Sequence, residues 1–186
     1  RSSASSDVDN RQRENMKGSS DHILSLVNDL LDFQRLESGE MEVHSVPFRV
    51  PVLFDEIYTS FQPIAEAKGL RFVLNLKPEE TGQVYMGDPI RIRQVVGNLL
   101  SNAIKFTEAG RVVLLVSLQK LSIINYQLSI TVSDSGPGIP KEEQERIFGE
   151  FTRLADTEEA EGFGLGLSIT RKLLSLMNGT LALDST

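Results

Sequence analysis

Gln94, Asn98, Asn102 and Lys105 follow one another at steps of four, four and three residues, a spacing that lines them up on one face of a helix. Two side-chain amides followed by an ammonium suit a hard cation held through neutral oxygens beside a phosphate held by a lysine. A polar stripe is also what any solvated helix face displays, although such faces are usually rich in Glu and Lys. A second candidate is VSDSGPGIP, in which Asp134 stands where an alternating run stops and Gly136 and Gly138 follow two apart. A carboxylate at a strand end accepts from an exocyclic amine, and glycines let backbone approach a flat ring. The same residues also make an ordinary turn.

A third stretch, EGFGLGLSI, runs Gly162, Gly164 and Gly166 straight into a helical pattern. Taken alone this is a flexible helix entry. Combined with a helix N-terminus it aims free N–H groups and the positive end of a dipole at one place, which is how a phosphate is held. Between the second and third stretches lies IFGEFTRLADTEEAEG, two phenylalanines and then a polar, acidic run with little to bury. It reads as a mobile flap over a ligand.

These stretches need a scaffold. Residues 1–9 carry almost nothing to bury and are expected to be disordered or tag-derived. From about Asn10 to Glu37 the pattern is helical, with Met16, Ile23, Leu26, Leu30 and Phe33 on one stripe that Leu24, Val27 and Leu31 widen. So broad an apolar face, with no earlier element to cover it, predicts a partner helix in a bundle or dimer, and Gly39 predicts the stop. MEVHSVPFRV then predicts a strand, Pro51 the start of a helix that Pro63 bends or weakens, and LRFVLNL a half-buried strand. A helix over Pro89–Phe106, strands RVVLLVSL and YQLSITVS, a helix from about Leu165 to Met177 closed by Gly179, and a strand start TLALDS complete the reading. Mixed elements with adjacent antiparallel strands predict an α+β two-layer sandwich with helices on one sheet face.

Composition narrows the function. The 186 residues are 40% hydrophobic and 24% charged, with a formal net charge of −7. An acidic chain of this kind does not hold nucleic acid or anionic lipid by general electrostatics. With no cysteine, disulfides and thiolate metal sites are out, and no apolar run approaches bilayer-spanning length.

In order and spacing the chain resembles the ATP-binding domain of sensor histidine kinases, within the superfamily of Hsp90, type II topoisomerases and MutL. DPIRIRQVVGNLLSNAIKFT resembles that family's N box, DSGPG its G1 box, IFGEF its F box and GFGLGL its G2 box. LVNDLLDFQRLESGEMEV resembles the second helix of the dimerisation and histidine-phosphotransfer hairpin running into the first strand. The resemblance covers roughly residues 11–186. It implies a Bergerat-type fold over 40–186, with 10–39 as a remnant of the hairpin.

The same resemblance implies roles. Asp134 would bond the adenine amine, with Gly136 and Gly138 beside the base. Asn102 would be the principal Mg²⁺ ligand, Asn98 would help directly or through water, and Lys105 would meet a phosphate. Gly162, Gly164, Gly166 and Leu167 would wrap the triphosphate of ATP, Phe148 and Phe151 would anchor the lid, and Arg153 is a further phosphate contact. The activity implied is that of a histidine protein kinase in the cytoplasm, homodimeric through its hairpin when intact, passing phosphate to a response regulator receiver domain. A degenerate module that only binds nucleotide or partner is the alternative. ATP-hydrolysing relatives carry Glu where Asn98 stands, and an amide cannot deprotonate water, so transfer rather than hydrolysis is expected.

Neither histidine fits the phosphate acceptor. His22 is followed by Ile23, Leu24 and Ser25 rather than by an acid and a base, and only sixteen residues separate it from Gly39. It shares a strip with Ser25, Asp29 and Asp32, and is expected to be an exposed polar residue. His44 is expected at a surface or strand edge. The sheet's customary last strand is expected to be missing.

Overall fold

A computed structural model of the chain describes residues 23–24, 27–77, 83–123, 125–152 and 164–185. His22, Arg153 and Gly162 lie outside them, as does most of the expected flap. Helix α1 covers 27–37 and ends in a Schellman turn. Glu40 N–H donates to Arg35 O at 3.0 Å and Gly39 N–H to Leu36 O at 3.3 Å, with Gly39 at φ +71°, a conformation glycine adopts without steric cost. Residues 23–24 are helical as well.

Strand β1 is Val46–Phe48, three residues of the longer strand that MEVHSVPFRV predicts. The start of that stretch is occupied in closing α1, where Met41 N–H donates to Arg35 O at 3.2 Å. Its end is taken by helix α2, Val50–Ala67, with Pro51 in the first turn. Pro63 does not end α2, which continues to Ala67 and is closed by Gly69 and by Leu70 N–H donating to Ala65 O at 2.9 Å. Strands β2 (Arg71–Leu76) and β3 (Tyr85–Gly87) follow. β3 pairs antiparallel with β1, Phe48 opposite Tyr85.

Helix α3 covers Pro89–Phe106, the span its sequence predicts. Asp88 caps it, Oδ1 accepting from the N–H of Ile90 at 3.1 Å and of Arg91 at 3.0 Å. Pro89 at the first helical position needs no acceptor. Asp88 Oδ2 accepts from His44 N–H at 2.9 Å, so one buried carboxylate joins α3 to the segment entering β1. His44 itself is exposed.

Strands β4 (Arg111–Lys120) and β5 (Tyr126–Asp134) pair antiparallel, and β4 pairs parallel with β2, giving the order β2-β4-β5. Val112, Leu114 and Val116 alternate inward from β4 onto Phe54, Ile57, Val96 and Leu100 of α2 and α3, the period-2 pattern of a sheet covered on one face. This is the predicted two-layer architecture. A single 3₁₀ turn, Arg146–Phe148, precedes helix α4, Gly166–Leu176. α4 is closed by Asn178 rather than by Gly179: Asn178 takes φ +55°, and Gly179 N–H donates to Leu174 O at 2.7 Å. TLALDS pairs with no strand among the described residues. Instead Ser185 Oγ accepts from Ile139 N–H at 2.8 Å and its carbonyl from Gln144 Nε2 at 3.2 Å, and β5 has no second strand partner among the described residues.

A second core lies between α1, α3 and α4, where Met41, Val95, Leu165, Ile169 and Leu173 meet Phe33 and Leu36. Val96 and Leu100 face the sheet, whereas Val95 and Leu99 face α4, so α3 divides the two cores. Among the described residues no helix is long and apolar enough to cross a membrane.

Candidate functional site

The polar face of α3 is the strip left between its two buried faces, and the structure separates its members by partner. Gln94 is taken by helix packing. Its Nε2 donates to Asp32 Oδ2 of α1 at 2.7 Å and its Oε1 accepts from Arg91 Nη1 at 2.9 Å. Asn98 reaches α4: its Nδ2 lies 3.3 Å from Gly166 O and 3.5 Å from Thr170 Oγ1. That leaves its Oδ1 as the unspent acceptor. Asn102 is half-buried, and no described group bonds its amide. Lys105 is half-buried with its Nζ 5.1 Å from the Phe106 ring.

Asp134 stands at the C-terminal end of β5, exposed. Its Oδ1 accepts from Gly136 N–H at 2.8 Å and from Thr107 Oγ1 at 3.5 Å. A Cβ on Gly136 would lie 2.8 Å from that oxygen and 3.3 Å from Phe106 O, so a side chain there would push the Asp134 carboxylate out of this position. Gly138 takes φ +76°. Ser135, inside the same motif, braces the turn: its Oγ accepts from Arg111 N–H at 3.0 Å and sits 3.2 Å from Ala109 O.

Gly164 and Gly166 lead into α4. Gly164 has φ +71°, and a Cβ there would fall 2.5 Å from Thr152 O. Gly166 begins the helix with Asn98 as its near neighbour, 3.9 Å from an added Cβ, and Leu167 is half-buried beside it. The N–H groups of a first turn have no intrahelical acceptor, so this end of α4 offers donors beside Asn98 with the positive end of its dipole. Ile147 of IFGEF is buried, Phe148 half-buried with the Arg171 guanidinium 5.9 Å from its ring, and Phe151 exposed at φ +56°.

Phe151 also contacts the helix before the domain. It meets Phe33 of α1 edge-on with centroids 6.0 Å apart, and Lys172 of α4 lies 4.5 Å above the Phe33 ring. Lys172 Nζ donates to Glu150 Oε1 at 2.7 Å and to Glu37 Oε1. Burial acts to lower its pKa, but the bonds to Glu150 and Glu37 outweigh it and the net direction is upward. Sequence reasoning passed over Lys172, whose partner Glu37 is 135 residues away, and over Thr107, whose sole sequence signal is its place at the end of the N-box-like stretch.

The structure therefore brings Asn98 to the start of α4 and joins the end of α3 to Asp134. From Asn98 to Thr107 the helix rises by about 14 Å, a span suited to a base at one end and phosphates at the other. No group of three or more His, Cys, Asp or Glu side chains capable of holding a metal occurs among the described residues. A divalent cation here would depend on the Asn102 amide oxygen together with oxygens from a ligand, a donor set that fits Mg²⁺.

The family described as "Histidine kinase-, DNA gyrase B-, and HSP90-like ATPase" matches residues 87–186. The signal transduction histidine-protein kinase BarA of Escherichia coli (strain K12) is 39% identical over 170 residues, covering 90% of this chain but 18% of BarA. The chain thus spans less than a fifth of that relative's length. Among solved structures, full-length ShkA in complex with AMPPNP superposes with a TM-score of 0.72 at 34% identity, over 90% of this chain and 34% of that one. ThkA in complex with the response regulator protein TrrA superposes with a TM-score of 0.61 at 25% identity, over 88% of this chain and 43% of that one.

Proposed function

The chain belongs to the histidine kinase-, DNA gyrase B- and HSP90-like ATPase family, and on that basis we propose that it is the ATP-binding catalytic part of a two-component sensor histidine kinase. The observation that carries this reading is the arrangement along α3: a carboxylate fixed at its C-terminal end, an amide in the middle that no described group bonds, and the start of α4 against Asn98. Asp134 accepts from the adenine amine, with Gly136 and Gly138 against the base. Lys105 and the N–H groups around Gly164, Gly166 and Leu167 take the phosphates, as do Gly162 and Arg153. Asn102 holds Mg²⁺ with Asn98 in support, and the ion when bound spreads charge over the phosphates. Phe148 and Phe151 seat the lid.

The chemistry is transfer of the γ-phosphoryl group from ATP to a histidine, in which the protein positions reactants and spreads charge. No acid stands at position 98 to deprotonate a water, so hydrolysis is slow. Neither His22 nor His44 has an acceptor's sequence surroundings, and a separate hairpin helix supplies the acceptor histidine. ShkA with AMPPNP and ThkA with TrrA support the nucleotide and a receiver domain as ligand and partner. The setting is cytoplasmic, with dimerisation through the hairpin of the intact protein.

Calorimetric titration of the folded chain with AMPPNP in Mg²⁺ tests the reading. Wild type binds, and Asp134→Asn, which turns an acceptor toward donation, loses at least about tenfold in affinity. Adding a hairpin that carries an acceptor histidine then yields phosphohistidine from ATP. A folded wild type that does not bind removes the reading and favours a degenerate module.

A further inference from the structure

The last residue of the N-box-like stretch, Thr107, is fully buried and forms the C-cap of α3, its N–H donating to Ala103 O at 3.1 Å. Its side chain faces away from the helix it caps. Oγ1 lies 3.5 Å from Asp134 Oδ1, the oxygen that also accepts from Gly136 N–H at 2.8 Å. Among the described residues nothing donates to Asp134 Oδ2. The surroundings of Oδ1 are tight, since a Cβ on Gly136 would meet Asp134 Oδ1 at 2.8 Å and Thr107 Oγ1 at 3.4 Å.

The carboxyl torsion of an aspartate is broad and roughly two-fold. At an exposed strand end nothing in the side chain itself selects which oxygen turns outward. Here one oxygen is tied back by a backbone N–H from the following turn and faces a hydroxyl from the preceding helix. Buried hydroxyls without partners are costly, and Asp134 Oδ1 is the side-chain acceptor within reach of Thr107 Oγ1.

We propose that Thr107 is the positioning residue for base recognition: it turns Asp134 Oδ1 inward so that Oδ2 is presented to an exocyclic amine, and so contributes to selecting an adenine nucleotide without touching it. This rests on the nucleotide-binding reading above. Its consequence is specific, because a residue that acts through Asp134 on the amine alone matters only when the amine is there.

The test is a cycle between protein and ligand. ATP and purine riboside triphosphate, which lacks the exocyclic amine, are titrated in Mg²⁺ into wild type, Thr107→Val and Thr107→Ser. Thr107→Val weakens ATP binding about five- to tenfold, the range for losing one ordinary hydrogen bond, and leaves purine riboside triphosphate unchanged. Thr107→Ser, which keeps the hydroxyl, binds both as wild type does. Equal losses for the two nucleotides, or none for either, overturn the proposal in favour of a packing role. Should Thr107→Val fail to fold by circular dichroism, Thr107→Ala against Thr107→Ser makes the same comparison with the methyl absent from both. A wild type that binds both nucleotides alike overturns the role of Thr107 while leaving triphosphate binding intact. A folded wild type that binds neither overturns the nucleotide reading itself.

Discussion

Replacing Lys172 by Met removes an ammonium and keeps most of its stem, which isolates the charge at the junction of α1, α4 and the segment of Glu150 and Phe151. The Lys172 side chain is 26% exposed, and its partners Glu37 and Glu150 are 54% and 44% exposed. Pairs this open to water are each worth about 0.2–1 kcal/mol, and a cation over a ring in such a place about 0.5–1 kcal/mol. One ammonium serves all three contacts, so the terms do not add, and a total of about 1–1.4 kcal/mol follows. Because Glu37 and Phe33 belong to α1, the loss falls on the seating of that helix rather than on the sheet. Hydrogen exchange reads it: in Lys172→Met the amides of residues 31–37 exchange about five- to tenfold faster, while those of β4 keep wild-type rates. Salt shrinks the difference, since half-exposed pairs are screened. The upward direction of the Lys172 pKa fixes the pH window: its contribution is fully present below the ordinary lysine value of about 10.4 and is lost as pH rises through the higher folded value. Unchanged exchange in α1, or equal acceleration in α1 and β4, would refute the reasoning.

Three further predictions concern the frame. Asp29 of α1 has its pKa raised, chiefly by burial and then by the charge of Asp32. An acid raised on folding destabilises when ionised, so stability rises as pH falls through the carboxylate range; Asp29→Asn raises the melting temperature at pH 7 and flattens that rise, and a lower melting temperature contradicts it. Asp88→Ala orphans the N–H groups of Ile90, Arg91 and His44 and costs about 2 kcal/mol, whereas Asp88→Asn recovers part of it; calorimetry showing Asp88→Ala within about 0.5 kcal/mol of wild type counts against the cap. Gly164→Ala, forced to φ +71° with its Cβ 2.5 Å from Thr152 O, costs about 1–3 kcal/mol. Gly166→Ala, whose nearest neighbour is 3.9 Å away, melts within a degree or two of wild type, and similar losses in both variants would refute the distinction.

The long elements were legible because their periods are long. α3 carries an N-cap, a proline at its first position and an apolar pattern over five turns, and β4 and β5 alternate over 10 and 9 residues. Short elements escape that logic. β3 is three residues, and its signal is the small size of Gly87, where a Cβ would come 3.0 Å from the Phe48 ring. MEVHSVPFRV alternates well enough to look like a full strand, but both of its ends are claimed by helices, and tertiary context overrides the pattern. TLALDS has the alternation of a strand, but among the described residues it joins no ladder and its end is bonded to Ile139 and Gln144 instead. At the site, the spacing named a shared face on α3 but not how its members divide. Gln94 fits the stripe as well as Asn102 does, yet it is taken by Asp32 of α1, a partner that no local pattern reveals.

That division gives one helix two buried faces that pack and a polar strip shared among several neighbours. Four polar residues on α3 or capping it go to different neighbours: Asp88 to the segment before β1, Gln94 to α1, Asn98 to α4, and Thr107 to Asp134 at the end of β5. At the far end, Lys68 of the α2 turn donates to Ile104 O at 2.7 Å and to Lys105 O at 2.5 Å, a cation where the helix dipole is negative. A displacement of α3 along its axis would strain all of these at once, whereas a displacement of α4 or α1 strains those made by Asn98 or Gln94. Rigid-body change is therefore easier at α1 and α4 than at the Asp134 end. On the proposed reading the base-recognition end is the one fixed to the sheet, and the phosphate end, built on α4 and tied through Lys172 to α1, is the part that α1 is placed to move.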